Sequence, residues 1–196
     1  MKWAESADKR IAGHGDSRLL ISNGLSNRLV HKWRSEAASI LVGTNTAILD
    51  NPSLTTRLWK GKNPMRLVVD MDLRLPASLH LFNQSVNTVS FNTKKEEELG
   101  LIRWVMVKKE DSLPMQILHF LYNQNIQSVF IEGGKKILQS FIDEGLWDEA
   151  RVITNDNLVI GTGVDAPVLS EAVIQDKFGL DNDTIRIFSS TFSKSF

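Results

Sequence analysis

Short apolar runs alternate with amphipathic stretches along most of this chain, and that alternation confines it to an α/β architecture. Ser39-Ile40-Leu41-Val42, Arg66-Leu67-Val68-Val69 and Ser128-Val129-Phe130-Ile131 each read as a short buried strand. Between them the apolar spacing becomes helical. Leu29, Val30, Trp33 and Ala37 share one helical face around 27–36. Ile117, Leu118, Leu121 and Tyr122 repeat the pattern after Pro114, and Ile137, Leu138, Phe141 and Ile142 do so again before Gly145, a stop signal. From Arg151 onward the chain is strand-rich, with strands predicted at 151–154, 158–160 and 184–189. The predicted fold is a mixed sheet flanked by helices. Lys94 to Glu98 reads as a solvated loop or helix end.

Composition narrows the chemistry. The 196 residues suit one domain. No window approaches 18 consecutive apolar residues, which predicts no membrane span. Twenty-three basic and 23 acidic side chains cancel, so the basic excess of a nucleic-acid binder is missing. The absence of cysteine excludes disulfides, a thiol nucleophile and iron–sulfur clusters. His14, His31, His80 and His119 lack the close spacing of a zinc-protease helix, so no metal site is expected. Charges within Met1-Lys2-Trp3-Ala4-Glu5-Ser6 occupy the place of a signal peptide's apolar stretch, and a cytoplasmic location is the expectation.

Three segments carry candidate chemistry. Gly161-Thr162-Gly163-Val164-Asp165-Ala166 fits the bare dinucleotide fingerprint, but Pro167 follows where a helix should open, so a strand-connecting loop is expected. In Ile131-Glu132-Gly133-Gly134-Lys135-Lys136 a buried strand ends in a carboxylate, two glycines follow and an amphipathic helix begins. Glycines let a backbone approach a ligand, and helix N-termini favour anions. Two lysines in the first turn oppose the helix dipole, which an anion would balance; an ordinary tight turn with solvated lysines is the alternative. The third segment, Gly43 to Arg57, mixes hydroxyl residues, Asp50, a proline turn and an arginine, with Arg34 one helix earlier. It is either a phosphate grip or a long polar loop with surface arginines.

Taken together, His31-Lys32-Trp33-Arg34, Ile40-Leu41-Val42-Gly43, Thr46, Asp50, Pro52, Leu54-Thr55 and Arg57 resemble the reductase domain of the riboflavin-biosynthesis deaminase/reductase. Lys2, Ala4, Ser6 and Asp8, then Val68-Val69-Asp70, Glu132-Gly133-Gly134 and Gly145-Leu146-Trp147-Asp148-Glu149, extend the resemblance over about 2–170. It implies a dihydrofolate-reductase-like fold and a single reductase domain over 1–196, without the zinc deaminase that often precedes it. It implies NADPH-dependent reduction of 5-amino-6-(5-phosphoribosylamino)uracil, with hydride delivered to C1′ of the opened sugar, and a homodimer joined through sheet edges. By motif, Lys2 and Glu132 are the residues near the chemistry. Glu132 would orient the open-chain ribose or pass a proton to the imine nitrogen, from the end of a central strand. Ser17, Arg34, Leu54 and Arg57 would line the substrate site, the arginines facing phosphate. Ala4, Thr46, Asp50 and the turn Gly134, Lys135, Lys136, Ile137, Leu138, Gln139 and Ser140 would hold NADPH. The sequence departs from the family at three places: Leu19 replaces a common tryptophan, Met71 a small polar residue, and Lys9 a glycine. Rival readings are a pterin reductase of the same fold and a non-catalytic nucleotide-binding domain.

Overall fold

The computed structural model describes residues 1–14 and 19–192. They form two compact units, one of residues 30–134 and one of residues 1–29 with 135–196.

The 30–134 unit is built on six strands: β3 (Ser39–Gly43), β4 (Met65–Val69), β5 (Thr88–Asn92), β6 (Glu97–Leu99), β7 (Ile102–Met106) and β8 (Val129–Gly133). Their order is β6-β7-β5-β4-β3-β8. All neighbours run parallel except the β6–β7 pair. Strands covered on both faces need unbroken apolar sequence, and Ile40, Leu41, Leu67 and Val68 are at most 1% exposed. Helix α2 (Thr44–Asp50) follows β3 directly, and α3 (Leu113–Asn123) starts at Ser112, whose hydroxyl accepts from the Met115 N–H. Helix α1 (Gly24–Glu36) enters this unit at Val30 and buries Val30 and Trp33. Arg66, inside β4, is itself buried. Its two terminal nitrogens donate to the carbonyls of His80 and Leu81, to Asn83 Oδ1 and to Ser85 Oγ, so neutral acceptors surround the charge, while the buried Nε has no partner.

In the other unit, β1 (Lys2–Ser6), β9 (Glu149–Asn155), β12 (Asp183–Ser190) and β11 (Ala172–Leu180) form a sheet in that order. β1 runs parallel to β9, and the remaining pairs are antiparallel. A separate ribbon pairs β2 (Arg10–Gly13) with β10 (Gly163–Asp165). Helix α4 (Lys135–Asp143) buries Ile137, Leu138, Phe141 and Ile142, and ends before Gly145, which stands at φ 65°.

Five sequence expectations need correction. Residues 158–160 are not a strand, because their backbone bonds turn to the Asp8 loop. Leu158 O accepts from the Ala7 N–H, and the Asp8 carboxylate takes the N–H groups of Ile160 and Gly161. Those bonds, led by one from Ser6 Oγ, hold the Asp8 carboxyl at about 2. Tyr122 is 80% exposed at the end of α3 rather than on its apolar face. The segment 163–165 is more than a connecting loop, since it pairs with β2. β8 is the outermost strand in the order of its sheet, not a central one. Glu97 and Glu98 belong to the exposed edge strand β6.

Candidate functional site

The 43–57 segment begins as helix, not loop. Thr44 Oγ1 donates to Val69 O, and α2 closes at Asn51, whose φ of 38° is left-handed. Asn51 then accepts from the His80 N–H through Oδ1 and meets His80 Nδ1 through its carbonyl. Leu54, buried at φ 51°, turns the chain inward again. Thr56 is fixed by Asn63 and Gly61, so the polar loop is held at several points.

Arg34 and Glu132, 98 residues apart, meet beside it. Arg34 Nε donates to Glu132 Oε1 and Nη2 donates to Oε2, each at 2.6 Å. The third nitrogen, Nη1, donates to the Thr55 carbonyl at 3.2 Å. The two side chains are only 11% and 7% exposed. Burial opposes the guanidinium charge, but the Glu132 carboxylate outweighs it and raises the Arg34 pKa. One turn back on α1, His31 is 1% exposed, and its Nδ1 accepts from the Leu58 N–H at 3.5 Å. Burial, and then the charges of Arg34 and Arg57, push His31 down to about 4, so its ring is neutral at pH 7. Arg57 is exposed.

The double glycine has two separate causes. A Cβ on Gly133 would stand 3.1 Å from Thr46 Cγ2 and 3.3 Å from its Oγ1. Gly134 stands at φ 85°, a conformation that side chains disfavour. Thr46 thus lies against the strand end that bears Glu132, and Asp50 closes the same helix.

In the other unit, Lys2 and Ala4 lie on β1, opposite Arg151 and Ile153 of β9. Lys135 faces Asp165 at 3.8 Å, so part of the charge in the first turn of α4 is balanced within the protein. Lys136 is exposed, whereas the side chains of Ile137 and Leu138 are buried and leave only backbone to a ligand. Gln139 bonds both the N–H and the carbonyl of Val168, and Ser140 Oγ donates to Ile137 O. Ser17 lies outside the described residues. Of the three departures, Leu19 is 42% exposed, Met71 is half-buried, and Lys9 takes φ 62°.

Sequence reasoning missed two features. His31 could have been found from its i,i+3 spacing to Arg34, which puts both on one side of α1. Glu5 is a buried carboxylate that accepts from Trp3 Nε1, Lys9 Nζ and Thr154 Oγ1. It helps line a cavity of about 690 Å³ with Trp3, Lys9, Lys135, Asp165 and Arg186. Thr154 is 149 residues away, so no local pattern foretold it.

Residues 1–176 match the family described as the RibD C-terminal domain. The chain belongs to that family. It is 32% identical over 172 residues to the riboflavin biosynthesis protein RibD of Aquifex aeolicus, a match covering 82% of this chain and 48% of that protein. It is 28% identical over 184 residues to the 2,5-diamino-6-ribosylamino-4(3H)-pyrimidinone 5′-phosphate reductase of Archaeoglobus fulgidus, covering 86% and 83%. The crystal structure of the Thermotoga maritima deaminase/5-amino-6-(5-phosphoribosylamino)uracil reductase superposes with a TM-score of 0.85 at 26% identity, over 96% of this chain and 55% of that one. The fold is therefore the dihydrofolate-reductase-like fold of RibD reductases. The chain spans about half the length of the RibD relatives it matches. Reductases of this family use a nicotinamide cofactor. Among the described residues no helix is long and apolar enough to cross a membrane.

Proposed function

We propose that this chain is an NADPH-dependent reductase of riboflavin biosynthesis. Its substrate is 5-amino-6-(5-phosphoribosylamino)uracil, and its product is the phosphoribitylamino compound. The observation that carries the reading is the family match over 1–176, which includes the Glu132-Gly133-Gly134 strand end. The residues fit a dinucleotide. Gly134 opens a left-handed turn into α4, whose first N–H groups have no partner within the helix and suit a phosphate, with Lys135 and Lys136 beside them. When bound, NADPH supplies the hydride that C1′ of the opened sugar receives.

The protein's part is to bind, orient and manage charge. The resemblance assigns Arg34, Leu54 and Arg57 to the substrate, the arginines to its phosphate, and Lys2 and Glu132 to the chemistry at C1′; Ser17, assigned with them, lies outside the described residues. Ala4, Thr46, Asp50 and the Gly134 to Ser140 turn hold the cofactor. Residues 1–196 act as one reductase domain and work as a homodimer in the cytoplasm, without nucleic acid, membrane or metal.

A second substrate deserves the same assay. The archaeal relative named above is a reductase of 2,5-diamino-6-ribosylamino-4(3H)-pyrimidinone 5′-phosphate, which makes that compound the nearest competitor. The test is NADPH oxidation with each pyrimidine and with dihydrofolate. Turnover of a phosphoribosyl pyrimidine alone supports the reading; turnover of dihydrofolate alone points to a pterin reductase.

A further inference from the structure

The reductase reading places the substrate against Leu54 and Arg57, so the path of the stretch after α2 decides where both residues stand. The far end of that stretch is held by α1 and by its own turn. Arg34 Nη1 donates to the Thr55 carbonyl, the Leu58 N–H donates to His31 Nδ1, and Asn63 and Gly61 hold Thr56. The near end, at Asn51, is held by His80, 29 residues on. We propose that His80 is a positioning residue of the reduction, clamping Asn51 and so fixing the entry of the substrate loop. This inference rests on the reductase reading.

Two bonds make the clamp, and they engage both oxygens of one asparagine. The His80 N–H donates to Asn51 Oδ1, and the ring Nδ1 donates to the Asn51 carbonyl, each at 2.8 Å. A carbonyl oxygen only accepts, so Nδ1 carries the proton whether the ring is neutral or charged. The clamped residue stands at a difficult point of the chain. Asn51 takes φ 38° where α2 ends, Pro52 follows, and the buried Leu54 returns to the left-handed region at φ 51°. A leucine persists there only where its surroundings over-determine the backbone.

A clamp needs a firm base. His80 opens a short 3₁₀ turn, His80–Phe82, and its neighbours Leu79 and Leu81 are buried. From β4, the buried Arg66 donates to the carbonyls of His80 and Leu81 and to the side chains of Asn83 and Ser85. Thr88 Oγ1 donates to the same Leu81 carbonyl. Burying a cation among neutral acceptors is costly, and here it ties the segment that bears His80 to the sheet. His80 itself is exposed, so its bonds compete with water and contribute little to global stability. What they fix is a local conformation.

Three variants of the intact chain test this. Asn51→Gly keeps a residue at ease with positive φ but removes the Oδ1 acceptor, and His80→Ala removes the ring donor. His80→Asn returns a side-chain N–H donor near the place of Nδ1. By NMR, hydrogen exchange at the amides of 53–57 should be about tenfold faster in Asn51→Gly and His80→Ala, with Tm close to that of the wild type. In NADPH oxidation the same two variants should raise the KM of the phosphoribosyl pyrimidine about tenfold, with a smaller rise in the KM of NADPH. His80→Asn should lie nearer the wild type in both readouts. If Asn51 served only the left-handed turn, Asn51→Gly would match the wild type in both, which overturns the proposal. Faster exchange with an unchanged substrate KM, or an equal rise in both KM values, overturns it as well. The exchange arm needs no turnover: a wild type that reduces neither pyrimidine contradicts the reductase reading, and exchange then judges the clamp by itself.

Discussion

Lys9 Nζ lies 2.6 Å from Glu5 Oε1, although the Lys9 backbone stands in the left-handed region at φ 62°. The carboxylate it reaches is buried, with Trp3 and Thr154 as its other donors. The position that the family commonly fills with glycine thus keeps a glycine-like backbone while supplying a cation to a buried acid.

Two substitutions separate the backbone from the charge. Lys9→Ala and Lys9→Gly both remove the ammonium, but only glycine relieves the left-handed strain. Chemical denaturation should therefore find Lys9→Gly more stable than Lys9→Ala by about 1 kcal/mol. Equal stabilities would mean that the φ of Lys9 carries no cost.

Gly133 is required by Thr46. A methyl group there presses on Thr46 Cγ2 at 3.1 Å, and mild overpacking of this kind costs about 1–3 kcal/mol. Gly133→Ala should lower stability by an amount in that range, and adding Thr46→Ala should restore most of it. Thermal or urea unfolding of the single and double variants checks the coupling.

His31 makes stability depend on pH. Its folded value of about 4 lies below the usual 6.5, so between these values the unfolded chain binds the proton and the native chain does not. The stabilisation is complete above pH 6.5 and is lost as pH falls through 4. Tm should drop across that window, and His31→Gln, which keeps a hydrogen-bond acceptor, should flatten that part of the profile. A profile of unchanged slope in the variant contradicts the assignment.

Arg57 is an exposed charge on the loop that we propose binds the substrate. Losing a charge-assisted hydrogen bond costs about 1.5–3 kcal/mol, roughly tenfold to a hundredfold in affinity. Arg57→Ala should raise the substrate KM by that factor and leave NADPH binding, followed by fluorescence titration, nearly unchanged.

Much of the framework was legible in the sequence because burial on both faces leaves no room for polar residues. Ile40 to Val42, Leu67 to Val69 and Phe130-Ile131 announce β3, β4 and β8 in this way. The amphipathic faces of α1 and α4 were equally plain. Helix α2 was hidden, because Thr44, Asn45, Thr46 and Asp50 are poor helix formers and the segment spans only seven residues. Strand β11 was hidden too, since most of its nine residues are exposed and carry no apolar alternation. At the candidate site, sequence pointed to Arg34 and Glu132 separately. Their ion pair closes over 98 residues and depends on how α1 and β8 pack, which no spacing rule encodes. The same holds for His31, whose role follows from the Leu58 N–H it faces.

The central claim is that this chain transfers a hydride from NADPH to the sugar carbon of a phosphoribosyl pyrimidine. Incubation of the purified chain with 5-amino-6-(5-phosphoribosylamino)uracil and NADPH deuterated at both C4 positions, followed by mass spectrometry and NMR of the product, tests it directly. The predicted result is one deuterium at C1′ of a newly formed ribityl chain, matched mole for mole by oxidised cofactor. An unreduced sugar, or a reduced sugar without label at C1′, contradicts it.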